Sequence, residues 1–174
     1  MVARSQIAFA GETCLGRQGI LVIGVDGSDF RRLTNDCNIL GTAGRDVLRG
    51  TTWQDIIVGR GGDDLLYALS TYGRDTVYGG PGNDLLVGTR GADDWMQGGP
   101  GDDELQGDSE RDRLYGGSGR DRIFGGEGGD WIYTRDRERD VVVCGNGGWG
   151  RDRVYADRRD FVLRDCELVF RTRR

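Results

Sequence analysis

The sequence has 174 residues, enough for one ordinary domain, with 32 glycines and a net charge of −5. All 24 basic residues are arginine and there is no histidine, so the commonest general base and the commonest transition-metal ligand are missing. No Gly-X-Y period occurs, which excludes collagen, and no apolar run approaches the ~20 residues of a membrane-spanning helix. Carboxylate oxygen is abundant, and a hard cation is therefore the natural inorganic partner.

The first 40 residues form a segment of their own, because they lack the repeat that follows. Apolar runs at 6–10 and 20–25 predict two strands, and Asp26-Gly27 predicts a turn between strands. The motif that runs from Ile7-Ala8-Phe9 to the stretch 25–34 resembles one repeat of the TolB-like β-propeller family. One repeat cannot form a propeller, because such units need stacked neighbours. We therefore expect the tail of an upstream propeller, a hairpin reused as an N-terminal cap, or a generic strand pair over the first repeat.

From residue 41 to residue 155 the sequence is repetitive. An aspartate recurs at intervals of 9 to 12 residues, at Asp46, Asp55, Asp64, Asp75, Asp84, Asp94, Asp103, Asp112, Asp121, Asp130, Asp140 and Asp152. Two residues after each aspartate stands an aliphatic residue or methionine, namely Leu48, Ile57, Leu66, Val77, Leu86, Met96, Leu105, Leu114, Ile123, Ile132, Val142 and Val154. A glycine-rich stretch precedes many of the aspartates, most clearly in Gly79-Gly80-Pro81-Gly82-Asn83-Asp84. The phased copies identify a repeat architecture.

Each nonapeptide predicts a tight turn followed by a three-residue strand whose middle side chain points inward. Glycine permits the positive φ angles that a tight turn needs. Two nonapeptides complete one coil, so alternate turns stack on the same edge of the molecule. Carboxylates and turn carbonyls of stacked turns then converge, which suits Ca²⁺ with its ~6–8 oxygen ligands. We expect folding to be coupled to the cation, because the carboxylates repel one another without it.

The pattern Gly-Gly-x-Gly-x-Asp-x-(aliphatic)-x resembles the RTX, or haemolysin-type, calcium-binding repeats. The resemblance covers residues 41–155 and implies a parallel β-roll (RTX-type solenoid). With the strands of 1–40 as an N-terminal β-hairpin segment and the apolar-rich residues 156–174 as a C-terminal cap, we expect an all-β fold. The resemblance also implies Ca²⁺ held between coils by aspartates and turn carbonyls. The aspartates expected as ligands are Asp46, Asp64, Asp84, Asp103, Asp121, Asp112 and Asp130. The glycines expected to present carbonyl oxygens are Gly59, Gly61, Gly80, Gly82, Gly99, Gly101, Gly117 and Gly119. In the alternative, a calcium-free solenoid, aspartate only caps the turns.

The turns differ in quality along the two edges. Those that end at Asp46, Asp64, Asp84, Asp103 and Asp121 all have glycine at the first and fourth motif positions. On the other edge Trp53 and Glu110 replace the fourth-position glycine, and an insertion lies near residues 70–72. We therefore expect calcium mainly along the first edge, with the pair Asp112 and Asp130 as the exception on the second.

The four cysteines allow three disulfide connectivities, which the sequence does not settle. We favour Cys14–Cys37 and Cys144–Cys166, because each pair closes a short loop at one end of the chain; free thiols are the alternative. Disulfides imply an oxidising compartment, and the RTX resemblance implies a secreted, extracellular protein. Residues 1–10 are too short for a signal peptide, and we expect that part of the gene product precedes Met1.

Two other classes of function are disfavoured. Paired carboxylates such as Asp63-Asp64 would need a sugar cleft to act as a glycosidase, which periodic loops do not offer, so we expect no enzyme. The arginines alternate with acids, as in residues 135–140, and the net charge is negative, so we expect no nucleic-acid partner.

The ninth motif position of alternate turns predicts an outward column of side chains, namely Val58, Tyr78, Gln97, Tyr115, Tyr133 and Tyr155. Stacked aromatic rings bind sugars or partner surfaces, but they also suit cross-strand packing, which we favour. The expected function is calcium ion binding that stabilises an extracellular structural or interaction module. The alternatives are a calcium-dependent, adhesin-like binder of glycans or surfaces, and the non-catalytic C-terminal part of an exported hydrolase.

Overall fold

The computed structural model describes residues 6–9, 21–24, 31–32, 38–71, 73–91, 93–146 and 150–172. All regular elements in these ranges are strands. Their bounds are β1 (Gln6–Phe9), β2 (Leu21–Gly24), β3 (Arg31–Arg32), β4 (Asn38–Leu40), β5 (Asp46–Arg49), β6 (Ile56–Val58), β7 (Leu65–Tyr67), β8 (Thr76–Tyr78), β9 (Leu85–Val87), β10 (Trp95–Pro100), β11 (Glu104–Glu110), β12 (Arg113–Ser118), β13 (Arg122–Gly128), β14 (Trp131–Thr134), β15 (Val141–Asn146), β16 (Arg153–Ala156), β17 (Phe161–Val162) and β18 (Leu168–Arg171). No helix long and apolar enough to span a membrane occurs in these ranges.

The strands form two sheets that the chain visits in turn. Sheet A has the order β17-β15-β13-β11-β9-β7-β5-β1-β2-β3, and sheet B has the order β18-β16-β14-β12-β10-β8-β6-β4. From β4 onward every pairing is parallel and joins a strand to the strand one coil later. The chain therefore winds as a parallel β-solenoid of about seven coils, which confirms the predicted β-roll.

The core is one row of side chains from each sheet. The residue two positions after each repeat aspartate is at most 1 % exposed, from Leu48 to Val154, as the period predicts. Ile39 of β4 extends the row by one strand, and all these residues belong to a single hydrophobic cluster. Most strands contribute one large inward side chain, worth roughly 1.5–3 kcal/mol when fully buried, and β15 and β16 add the smaller Cys144 and Ala156. The core is thin, and the edges of the roll must supply much of its stability.

The N-terminal strands extend sheet A beyond the first coil. β1 pairs in parallel with β5, with Ile7 opposite Val47, and in antiparallel orientation with β2. The predicted strands are thus present, and their backbones continue the roll's own sheet. The predicted turn at Asp26-Gly27 lies outside the described residues.

The C-terminal segment continues both sheets. β17 pairs with β15 and β18 pairs with β16, both in parallel, so residues from the segment expected as a cap add a further coil. A disulfide joins Cys144, which is buried in the core, to Cys166, with 5.1 Å between the Cα atoms. This is the pairing expected for the second cysteine couple. Cys14 and Cys37 lie outside the described residues.

The ninth-position column lies on the outer face of sheet B, in the register the period predicts. The Tyr133 ring stacks on Tyr115 and on Tyr155, with centroids 4.5 and 4.7 Å apart, and Tyr155 in turn stacks on Phe170. Gln97 interrupts the row of rings. Trp95, two residues before it in β10, contacts both Tyr78 and Tyr115. The rings from Tyr115 to Phe170 lie face to face, so both faces of Tyr133 and of Tyr155 are covered, whereas Trp95 meets Tyr78 edge-on and Tyr115 at a tilt. We call these stacked rings the aromatic column.

Candidate metal centre

The repeat aspartates form two buried columns, one along each edge of the roll. The column that leads into sheet A contains Asp46, Asp64, Asp84, Asp103, Asp121, Asp140 and Asp160. The column that leads into sheet B contains Asp55, Asp75, Asp94, Asp112, Asp130 and Asp152. In both, the backbone N–H of each aspartate donates to the Oδ1 of the aspartate one coil later, as from Asp84 to Asp103 at 2.8 Å. The structure therefore brings together the five predicted ligands of the first edge, and separately Asp112 and Asp130.

The second carboxylate oxygen has no hydrogen-bond partner in most coils. The aspartates with a buried, unpartnered Oδ2 in these two columns are Asp64, Asp84, Asp94, Asp103, Asp112, Asp121, Asp130, Asp140 and Asp152. Each of these residues is at most 2 % exposed. A buried oxygen without a donor costs roughly 1–3 kcal/mol, and more if it is charged. A row of such oxygens is stable only if something of opposite charge lies near them.

Burial and mutual repulsion act on the same carboxyl groups. Burial, together with the charges of Asp84, Asp46 and Asp63, raises the pKa of Asp64 to about 7. Burial raises the pKa of Asp112 to about 9, with Asp130, Asp94 and Asp93 adding to the effect. In the absence of a cation Asp112 therefore holds a proton at neutral pH, as does Asp140 with a pKa of about 8, whereas Asp84, with a pKa of about 6, is mostly ionised.

The loops between the sheets have a recurrent backbone. In the loop 79–84 the second and fourth residues have positive φ, +106° at Gly80 and +145° at Gly82, and the loops 98–103 and 116–121 repeat this. The sequence analysis singled out the glycines at the first and fourth positions of these loops. In the structure the residues with positive φ are those at the second and fourth positions. The first-position glycine is required for a different reason: a methyl group at Gly98 would collide with the Asp103 Oδ2 and the carbonyl of Gly116.

The loop 107–112 adopts the same conformation without glycines at these positions. Asp108 and Glu110 have φ of +78° and +82°, and they pair in register with Gly126 and Gly128 of the next coil. Such angles cost of order 1–2 kcal/mol per non-glycine residue. Glu110 therefore takes the place of glycine with a positive φ, and calcium binding at the pair Asp112 and Asp130, the expected exception on the second edge, stays a prediction. Asp112 and Asp130 belong to loops of the same shape as those of the first edge.

The predicted carbonyl ligands lie in the four stacked loops of the first edge. The glycines concerned are Gly59, Gly61, Gly80, Gly82, Gly99, Gly101, Gly117 and Gly119. The carbonyl oxygens of Gly80 and Gly82 lie against the Cα atoms of Gly99 and Gly101, one coil later. These oxygens therefore face the space between neighbouring loops.

The acidic residues just before the column aspartates form an outer ladder. The N–H of Asn83 donates to Asp63, the N–H of Asp102 donates to Asn83, and the N–H of Arg120 donates to Asp102, at 2.8 to 2.9 Å. Asp63 and Asp102 are exposed, so they add negative charge beside the middle loops from the solvent side.

The donor set fits a hard divalent cation. Within the described residues no three acidic side chains or cysteines converge on one point, so backbone carbonyls must supply much of any coordination shell. Carboxylate and carbonyl oxygens are the ligands of Ca²⁺, whereas thiolate and imidazole are absent from the loops. The unpartnered Oδ2 atoms are the side-chain oxygens that such an ion would neutralise.

A parallel β-solenoid with stacked glycine loops and buried aspartate columns defines a class of calcium-dependent repeat proteins. The family model of the RTX calcium-binding nonapeptide repeat (four copies) matches residues 40–71, 69–94 and 97–132, which together cover about half of the chain. The chain belongs to this RTX family, whose repeats bind Ca²⁺. No curated protein and no solved structure matches the chain significantly. The TolB-like resemblance of the N-terminal segment stays a prediction.

Proposed function

We propose that this chain is a secreted module whose roll folds when it meets extracellular calcium, and which then serves as a rigid structural or interaction unit. The observation that supports this is the row of buried, unpartnered Oδ2 atoms along both edges. Calcium binds the folded loops and not the unfolded chain, and so it stabilises the fold by mass action. Because the core is thin, the calcium-free chain has few other favourable interactions to offset the repulsion between the buried carboxylates.

The compartment follows from the same chemistry. Cytosolic free calcium is matched by sensor sites with Kd of about 10⁻⁷–10⁻⁵ M, whereas extracellular modules use weaker sites of about 10⁻⁴–10⁻³ M. A chain with such sites stays unfolded inside the cell and folds outside. The Cys144–Cys166 disulfide supports an oxidising destination as well.

The test is folding as a function of calcium. In chelator the far-UV circular dichroism should be that of a largely disordered chain, and added calcium should produce strand signal cooperatively. Magnesium is the matched control, and it should substitute poorly because it needs a smaller octahedral shell and loses water reluctantly. A chain with equal structure and equal thermal stability in chelator and in calcium would refute the proposal.

We infer that the roll is not catalytic. Its column carboxylates are buried and hydrogen-bonded along the edges, as for Asp84 and Asp103, and such groups do not face a substrate. The aromatic column supports the packing interpretation over the adhesin-like alternative. A sugar stacks on an exposed ring face, and both faces of Tyr133 are occupied by Tyr115 and Tyr155.

A further inference from the structure

The outermost loops of the roll differ from the inner ones in how they hold their aspartate. In the loop 41–46 the Thr42 N–H and the Thr42 hydroxyl both donate to the Oδ2 of Asp46, at 2.5 and 3.0 Å. In the loop 50–55 Thr51 makes the same two bonds to the Oδ2 of Asp55, at 2.5 and 2.9 Å. These are the first repeat aspartates of the two columns.

The other end of the first column has the same device. The Thr134 hydroxyl donates to the Oδ2 of Asp160 at 2.9 Å, and the N–H of Asp157 donates to the same oxygen at 2.7 Å. Thr134 and Asp160 are both buried. Asp160 is the last aspartate of its column, and its Oδ1 accepts the N–H of Asp140.

The inner loops lack a hydroxyl that donates to the aspartate: Ser70 and Thr89 stand at the position of Thr42 in two of them, but their hydroxyls donate to the carbonyls of Gly73 and Ser70. At the loop position of Thr42 the inner loops have residues such as Gly80 and Gly99, with positive φ, and the N–H of Gly80 donates to the carbonyl of Gly98 in the next coil. The aspartate Oδ2 of these loops is consequently the unpartnered atom. The loops 41–46 and 50–55 contain no residue with positive φ. The end loops thus differ from the inner loops in two linked ways: they have no positive φ, and they have a threonine hydroxyl that donates to the aspartate.

We propose that threonine hydroxyls replace calcium at three of the four column ends, those of Asp46, Asp55 and Asp160, so that the cation sites begin one loop further in. The inference rests on the proposed calcium binding. A cation held between two stacked loops takes oxygens from both, whereas among the described residues the loops 41–46 and 50–55 have a stacked loop only on the side of the next coil. A hydroxyl fixed by the chain itself satisfies the Oδ2 of the carboxylate without a second loop, while the Oδ1 of Asp46 and that of Asp55 have no hydrogen-bond partner. Asp46, predicted from the sequence as a ligand, is then held by Thr42.

The test is the dependence of the melting temperature on calcium concentration. Its slope against the logarithm of calcium concentration reports how many ions the fold binds. Thr42→Val removes the hydroxyl and keeps the shape, so its melting temperature should fall by about 3–8 °C at every calcium concentration, with an unchanged slope. Thr42→Ser is the matched control and should follow the wild type. Asp84→Asn, in an inner loop, should reduce the slope.

The outcomes separate the two claims. A reduced slope for Thr42→Val means that an ion binds at this loop and overturns the inference, as does an unchanged melting temperature. If Thr42→Val does not fold, Thr134→Val at the opposite end gives the same readout. A wild-type protein whose melting temperature ignores calcium would refute calcium binding itself, and the inference with it.

Discussion

The backbone N–H of Asp64 donates to the Oδ1 of Asp84 at 2.8 Å, and the N–H of Asp84 donates in turn to Asp103 at 2.8 Å. Each carboxylate in the column thus uses one oxygen to fix the stacking of the coils and leaves the other free of donors. If calcium binds at the free oxygen, as we propose, stacking and metal binding use different oxygens of the same side chain.

Asp84→Ala should lower calcium affinity by at least about tenfold, because the loop 79–84 lies between two loops of its own conformation and one carboxylate serves both spaces. Asp75→Ala is the matched control and should cost much less. The Asp75 Oδ2 already accepts the Ser70 N–H, at 3.4 Å, and the loop one coil before it is the one held by Thr51. Isothermal titration calorimetry measures both. Equal losses would contradict the assignment of sites to the inner loops.

Stability in chelator should fall as pH rises. The folded-state pKa of Asp64 is about 7, that of Asp140 about 8 and that of Asp112 about 9, against roughly 3.9 for an unfolded aspartate. The folded chain therefore binds more protons than the unfolded chain between about pH 4 and pH 9, and the calcium-free fold loses stability across this window. Circular dichroism in chelator should show more strand at pH 5 than at pH 8.

Asp112→Asn is the control for this pH dependence. It removes the charge and keeps an oxygen acceptor for the N–H of Asp94, so strand content in chelator should depend less on pH than in the wild type. A calcium-free chain that becomes more structured as pH rises would show that repulsion between the carboxylates is not what opposes folding.

Gly101→Ala should destabilise the calcium-bound fold by about 2–4 kcal/mol, while Gly61→Ala should change it little. Gly101 has φ of +143°, a region almost restricted to glycine, and an added methyl group would collide with the Gly82 carbonyl. At Gly61 φ is not in the positive region and the nearest atom to an added methyl is 3.6 Å away. Chemical denaturation in saturating calcium compares the two variants. Similar losses at both positions would mean that the loop backbone is not selective.

Removal of the Cys144–Cys166 disulfide should loosen the end of the roll before its middle. The bond ties the end of β15 to the segment between β17 and β18, where Phe161 and Phe170 are exposed and packing is sparse. In the double variant Cys144→Ser with Cys166→Ser, limited proteolysis in calcium should cut first beyond about residue 156. The intact disulfide protein is the control, and first cuts in the inner loops of the variant would contradict the prediction.

The inner coils were readable from the sequence because each follows a local rule. A residue such as Met96 must point inward two positions after its aspartate, and parity alone places Asp64 and Asp84 on one edge. Two features escaped this rule. The positive φ of Glu110 is unfavourable for the residue itself and is imposed by the next loop. The Thr42 hydroxyl donates to Asp46 from a motif position at which the nonapeptide pattern specifies only glycine.

The ends were predicted less well for a related reason. At the ends, pairing depends on which backbone edge the last regular coil leaves open. In the structure β1 pairs in parallel with β5, and β17 and β18 continue the two sheets. Residues such as Phe161 and Leu168 show an apolar strand but not its partner. The repeat period predicts how one coil pairs with the next, but beyond the last repeat it does not predict which strand pairs with which.

Among the described residues each strand from β6 to β16 pairs only with the strands one coil before and after it, so the backbone pairing is local along the roll. Excision of about 18 residues, from Asp103 to residue 120, would bring the N–H of Asp84 opposite the Oδ1 of Asp121, and the same ladder would close again. The gene for such a chain grows or shrinks by duplication and loss of whole coils, and each step changes the length of the molecule and its ion capacity together while leaving both ends as they were.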